Sequence, residues 1–207
     1  MNFENEINKL EKFNNKQDCF FCKGRVPILF SAAHTMKQEK EDGSIKLAEP
    51  YTKAIALYLN KHFNVYSFVK LNDTGLDSNR DNNDDYKNEL IKIVKENNIK
   101  LIIDLHGASK DRDFDIEFGT LNNLSIDFST IKELEEAFTE NGIKNITYNE
   151  PFKGGAITQY LYNIEDIDVV QIEINGKYRD SNNLELLENI IKSLENFIKQ
   201  YDEYINR

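Results

Sequence analysis

His34, Glu49, Arg80, His106 and Glu173 are the side chains of this sequence whose types could do chemistry and whose positions fall near strand ends, in loops or at helix starts. Each lies in a different segment, so only the fold can gather them. Two neutral imidazoles and one carboxylate, with a coordination position left open, form the ligand set of a catalytic zinc site. A further carboxylate can then take a proton from water and return it to a leaving amine. An arginine suits a substrate carboxylate, which it grips through two parallel hydrogen bonds. Most of these residues also have a plain structural role open to them. His106 could be a polar strand-end residue bonded to Asp104, Arg80 could neutralise Asp77, Asp81 and Asp84 in a solvated loop, and Glu49 could simply favour a helix N-terminus. Glu173 sits inside the apolar run Val169–Ile174, where a carboxylate costs free energy unless it is paired, metal-bound or protonated, or lies on a wet face.

The elements that must position these groups can be read from periodicity. Leu101, Ile102 and Ile103 suit a strand buried on both faces, ending where polarity returns at Asp104-Leu105-His106-Gly107, with Gly107 letting the backbone turn away. Residues 26–31 (VPILFS) form a second such run, with His34 just past its end. Residues 65–71 and 169–174 supply two more strands, and shorter ones fall at 115–120 and 146–149. Helical spacing marks residues 3–14, a helix opened by Glu49-Pro50 and running to Phe63, another from Tyr86 through Val94, and one from a Thr130/Glu133 capping box to Asn141. Two more cover residues 156–162 and the stripe from Leu184 to Tyr201. Strands alternating with helices imply an α/β fold with a parallel core.

The connecting segments carry weaker signals. Residues 35–46 are charged and contain the turn signal Asp42-Gly43, which predicts an exposed loop. The acidic spacing from Asp77 imitates a calcium loop but has Asn82 where Gly is needed and Asn88 where a bidentate Glu is needed. Residues 150–155 end in paired glycines that allow backbone to approach a ligand closely. Cys19 and Cys22 are the only cysteines; with no second pair and no strand-to-helix context they are two ordinary thiols.

The chain has 207 residues and a formal net charge of −10, which suits one domain over residues 1–207, with 1–25 as an accessory helix and lead-in. The acidic balance disfavours a phosphate-backbone binder and provides no polybasic membrane patch, so neither nucleic acid nor membrane is an expected partner. The start has no uninterrupted apolar core and no run is long enough to span a bilayer, so the expected location is cytoplasmic.

The pieces VPILFSAAH, DSNR (77–80), DLHG, PFKGGAITQYL and VVQIEIN, in that order, resemble the N-formylglutamate amidohydrolase family across about Val26 to Tyr178. That family is similar in fold and metal site to zinc carboxypeptidases and aspartoacylase-like deacylases. The resemblance implies a three-layer α/β/α sandwich with a mixed, largely parallel central sheet and one bound zinc ion. It makes His34 and His106 zinc ligands, Glu173 the general acid/base, and Asn79 with Arg80 the grip on a small anionic substrate. The carboxylate ligand departs from the pattern. Related enzymes have Glu three residues after the first His, where this chain has Lys37; Glu49 stands at the equivalent helix start and is preferred to Glu39. Lys153, Gly154 and Gly155 resemble the family's substrate loop, with Arg179 a further candidate for the same pocket. The implied activity is zinc-dependent removal of an N-formyl or N-acyl group from a carboxylate-bearing substrate. The alternatives are a metallopeptidase acting on γ-glutamyl or cell-wall peptides and a catalytically silent metal- or ligand-binding member of the fold.

Overall fold

The computed structural model describes residues 2–39, 43–80, 85–164 and 167–205. In chain order the elements are α1 (Phe3–Glu11), β1 (Cys19–Cys22), β2 (Val26–Ala32), β3 (Gln38–Glu39), β4 (Ile45–Lys46), α2 (Thr52–Phe63), β5 (Val65–Lys70), α3 (Asp85–Asn97), β6 (Leu101–Ala108), β7 (Ile116–Gly119), α4 (Phe128–Glu140), β8 (Ile146–Tyr148), α5 (Ala156–Leu161), β9 (Asp168–Asn175), a 3-10 turn (Gly176–Arg179) and α6 (Leu184–Ile205). Seven strands form one sheet in the order β1-β5-β2-β6-β9-β7-β8, and β3 pairs with β4 in a small hairpin. The central strands β5, β2, β6 and β9 are parallel. Antiparallel pairing enters on both sides, where β1 meets β5 and β7 meets β9.

Helices cover both faces. One core joins residues of α1, α2, α4 and α6 to one side of the sheet, and a smaller one packs Tyr86, Leu90 and Ile93 of α3 and Ile157 and Leu161 of α5 against Leu29, Phe68, Ile102 and Val169 on the other. The expected three-layer α/β/α sandwich with a mixed, largely parallel sheet is therefore what the chain forms. Because strand side chains alternate with a period of two, the face that carries Leu29, Ile102 and Val169 also carries Ser31, Asp104, His106, Gln171 and Glu173 farther along. One face of the sheet thus passes from apolar to polar toward the carboxyl ends of its parallel strands, where ligands bind in open α/β sheets.

Several elements differ from their sequence-based expectations. The strand predicted to end near Asp104 continues as β6 to Ala108, pairing in register with β9 as far as Ala108↔Asn175. His106 is inside the strand; buried hydrogen bonding lets polar residues continue it. The helix expected from Glu49-Pro50 begins at Thr52, after Tyr51 adopts a left-handed φ of 67°, which breaks helical continuity before it. Helix α4 begins at Phe128 with Asp127 at its cap, so Thr130 lies in its first turn. Cys19–Cys22 is an edge strand, and residues expected as a wholly exposed loop include the buried Thr35 and Gln38; Asp42 of the expected turn lies outside the described residues. Helix α3 connects β5 to β6 across β2, so these two strands are not neighbours. Among the described residues no helix is long and apolar enough to cross a membrane.

Candidate metal centre and active site

His34 follows β2 by two residues, and its backbone carbonyl accepts the Glu49 N–H at 2.8 Å. The intervening segment thereby returns to the point it left, and Glu49 turns its side chain inward. Glu49 Oε1 lies 3.0 Å from His34 Nδ1. Its other oxygen accepts the Gly107 N–H at 3.0 Å and lies 3.2 Å from His106 Nδ1. The two imidazoles meet edge to face with centroids 4.9 Å apart. One ligand atom from each of His34, Glu49 and His106 falls within 4.8 Å of the others, and all three residues are buried, so the group could hold a metal ion. Glu39, the rival carboxylate, is exposed on β3 and stands outside this group.

Each imidazole turns its far nitrogen to an aspartate. His34 Nε2 is 2.8 Å from Asp77 Oδ1, and His106 Nε2 is 2.9 Å from Asp104 Oδ2. Asp104 also accepts the Ser31 hydroxyl at 2.7 Å, which lies 3.0 Å from the Tyr86 hydroxyl. A carboxylate on one ring nitrogen fixes the tautomer of the neutral imidazole and leaves the other nitrogen as the ligand atom. In both rings the nitrogen so left is Nδ1, the side facing Glu49, which is the atom that could ligate a metal. From the sequence, the His106–Asp104 contact stands only as a plain structural alternative to a metal role, and nothing singles out Asp77 as the partner of His34. The Asp104-x-His106 alternation on one strand was the available signal for the second pair; Asp77, in an acidic loop, gave none.

The electrostatics follow from burial and these contacts. Burial pushes Glu49 up, but His106 and His34 outweigh it and hold the carboxylate well below its usual range. Burial also disfavours charge on His106, yet Asp104 and Glu49 win and raise it well above the ordinary imidazole value. Asp77 is pushed up by burial and pulled further down by His34. Glu173, 6% exposed, is dominated by desolvation: burial drives it up to about 7, with His106 lowering and Glu49 raising it further. It therefore holds a proton at pH values where ordinary carboxylates have lost theirs.

Glu173 pairs in register with His106 on one side and with Glu117 of β7 on the other. It lines a cavity of about 340 Å³ together with His34, Lys46, Asp77, Asn79, His106, Gln171 and the loop Pro151–Gly155. That loop is held from beneath: Phe152 N–H donates to Glu117 Oε1 at 2.7 Å and Gly155 N–H to Gln171 Oε1 at 2.6 Å. Asn79 Oδ1 accepts the Ile157 N–H at 3.0 Å, fixing the start of α5. A Cβ on Gly155 would fall 2.1 Å from Asn79 Nδ2, so this position needs a glycine for close approach.

The anion-binding candidates separate. Lys153 is exposed and lines the cavity, as do Gly154 and Gly155. Arg80 is exposed and absent from the lining, and its expected partners Asp81 and Asp84 lie outside the described residues. Arg179 is buried and bonds backbone carbonyls behind the site, so it is not part of the pocket. A cation that the sequence reading missed is Lys46, whose Nζ lies 2.8 Å from Glu49 Oε1. Cys19 and Cys22 are not joined in a disulfide; burial pushes the Cys22 thiol up, which disfavours a reactive thiolate.

The family model of N-formylglutamate amidohydrolase matches residues 81–178. That stretch carries DLHG, PFKGGAITQYL and VVQIEIN, and there the resemblance seen in the sequence is borne out. Among solved structures, the chain is similar to the N-formylglutamate amidohydrolase of Ralstonia eutropha JMP134, with 12% identity, 92% of this chain and 98% of that chain covered, and a TM-score of 0.68. It is similar at 12% identity to a gene product of Agrobacterium tumefaciens, covering 92% of this chain and 95% of that one with a TM-score of 0.63. A bacteriophage poly-gamma-glutamate hydrolase aligns at 13% identity over 94% of this chain and 93% of its own, with a TM-score of 0.59. At such identities the likeness shows a shared fold. No curated protein matches the chain in sequence.

Proposed function

We propose that this protein is a metal-dependent amidohydrolase that removes an N-formyl or N-acyl group from a small carboxylate-bearing substrate such as an N-acyl amino acid. The observation that carries this reading is Glu49 set between two imidazoles, each backed by an aspartate. The donor set fits a borderline metal with nitrogen and oxygen ligands. His34, Glu49 and His106 would hold one zinc ion, which when bound supplies Lewis acidity for hydrolysis.

The remaining roles fall to the chain's own groups. Glu173 has the proton affinity of a carboxyl that can accept a proton from water and deliver it to a departing amine, because its value of about 7 lies near working pH. Lys153 and Lys46 offer positive charge to a substrate carboxylate, while Asn79 and the backbone of Gly154 and Gly155 shape the cavity wall. Arg80 would join them only by swinging inward from its exposed position. A volume of about 340 Å³ suits an amino-acid-sized ligand. The reading also carries a single domain over residues 1–207, a cytoplasmic location, and no nucleic-acid or membrane partner.

The test is metal content by mass spectrometry followed by a hydrolysis screen of N-formyl and N-acyl amino acids and γ-glutamyl peptides. The wild type should hold about one zinc per chain, His34→Ala and His106→Ala should hold none, and Glu173→Gln should keep zinc but lose hydrolysis. Full turnover in Glu173→Gln would sink the assignment of the proton carrier, and activity confined to γ-glutamyl peptides would move the protein to the peptidase reading.

A further inference from the structure

Arg179, in the 3-10 turn after β9, is 8% exposed and spends its donors on backbone carbonyls. Nε donates to Ile174 at 3.0 Å, Nη1 to Pro50 at 3.1 Å and Nη2 to Ala108 at 2.8 Å. A buried guanidinium placed only for stability is better served by a carboxylate partner, which offsets its desolvation. The three carbonyls share something else. Pro50 follows Glu49, Ala108 lies two residues past His106, and Ile174 follows Glu173.

Gly107 belongs to the same arrangement. A Cβ at Gly107 would fall 2.2 Å from Arg179 Cζ and 2.4 Å from Nη1, so the guanidinium occupies the space a side chain would need. The Gly107 N–H, on the same residue, donates to Glu49 Oε2. The expectation that Gly107 lets the chain turn after His106 is thus replaced by another reason for the glycine: the strand continues, and an arginine lies flat against it.

We propose that Arg179 is the positioning residue of the metal centre, its planar fork, seated against Gly107, setting the spacing of the three segments that carry Glu49, His106 and Glu173. The inference rests on the metal-site reading above. It differs from a role in general stability because the guanidinium's rigid geometry, and not its bulk or charge alone, fixes where the ligands stand.

The experiment is zinc affinity, measured on the full chain by competition with a chromogenic chelator well below the unfolding temperature, with thermal stability recorded alongside. Arg179→Met should weaken zinc binding by about 10–100-fold, the range for groups that orient metal ligands. Arg179→Lys should not restore it, since an ammonium supplies the charge without the fork. Phe138→Leu, in the core on the face of the sheet away from His106 and Glu173, should lower thermal stability and leave zinc affinity unchanged. Gly107→Ala should reproduce the Arg179→Met loss, and in the Arg179→Met background it should add less than about twofold, because the two positions compete for one space. Zinc affinity unchanged in Arg179→Met, or restored in Arg179→Lys, overturns the proposal while leaving the metal site standing. Failure of the wild type to take up zinc overturns the metal-site reading and this inference with it.

Discussion

Glu173 shows how one residue's surroundings can matter more than its type. Its desolvation makes the protonated form the native one up to about pH 7, and that has a consequence for stability. Below the ordinary value of 4.5 both the folded and unfolded chains carry the proton, and the site costs nothing. As pH rises from there, the unfolded chain releases its proton while the folded one keeps it, so stability is lost progressively until pH passes the folded value. The full shift corresponds to roughly 3 kcal/mol. Glu173→Gln has no proton to give up. In chelator-treated protein, urea unfolding at pH 5, 6, 7 and 8 should therefore show the variant gaining on wild type by on the order of 2–3 kcal/mol in total, levelling off above pH 7. A difference that does not change with pH would mean the carboxyl is ionised in the native state. The sequence made Glu173 conspicuous because its neighbours Val169, Val170, Ile172 and Ile174 are apolar. It hid Asp77, whose acidic loop offers several equivalent carboxylates and no periodicity to choose among them.

At the level of elements, the strands that carry the chemistry were legible and their ends were not. The runs at 26–31 and 169–174 are strands because one face of each is wholly apolar, Val26, Ile28 and Phe30 in the first and Val170, Ile172 and Ile174 in the second, while the other face starts apolar and turns polar at Ser31 and Gln171. Polarity at Asp104 suggests a strand end, yet β6 continues, since Asp104 and His106 satisfy one another and Glu49 inside the fold. Helix starts failed for a related reason: a proline at 50 fits a first turn, but Tyr51 leaves the helical region and Glu49 is drawn to the imidazoles. The edge strand Cys19–Cys22 is too short, and too suggestive as a cysteine pair, to announce itself. The loop before α5 is the element whose exact placement should govern substrate binding. In Gly155→Ala the new methyl meets the Asn79 side chain, which must move and release the Ile157 N–H, shifting Pro151–Gly155 away from the cavity. Steady-state kinetics on an accepted amide substrate should show KM rising by about tenfold, equivalent to about 1.4 kcal/mol of binding, with zinc still near one per chain. An unchanged KM would remove the loop from the substrate site, and loss of zinc would assign Asn79 to the metal centre.

The whole molecule gathers the group that could hold a metal ion from three separate places in the chain: beyond β2, before α2, and within β6. An unfolded chain does not hold His34, Glu49 and His106 together, so an ion bound there stabilises only the native state. The α/β class was visible in the alternation of strands and helices, but the closing of residues 35–48 back onto His34 was not. That closure joins residues fifteen apart through the Glu49 N–H to His34 carbonyl bond and includes the β3–β4 hairpin of two-residue strands, features that no local pattern encodes. The group's dependence on the complete fold leads to a measurement on the intact protein. At free zinc about 100 times its dissociation constant, linkage predicts about 2.7 kcal/mol of added stability. For a chain of this size each kcal/mol moves Tm by about 2–4 °C, so the transition should rise by roughly 5–11 °C on adding zinc to chelator-treated protein. The rise should persist in high salt, because the ligands are buried and weakly screened, whereas a diffuse attraction of zinc to a surface of net charge −10 would fade. His106→Ala should unfold at a temperature independent of zinc. A salt-sensitive rise, or one that survives in His106→Ala, would place the ion on the acidic surface and leave the paired imidazoles as a structural network.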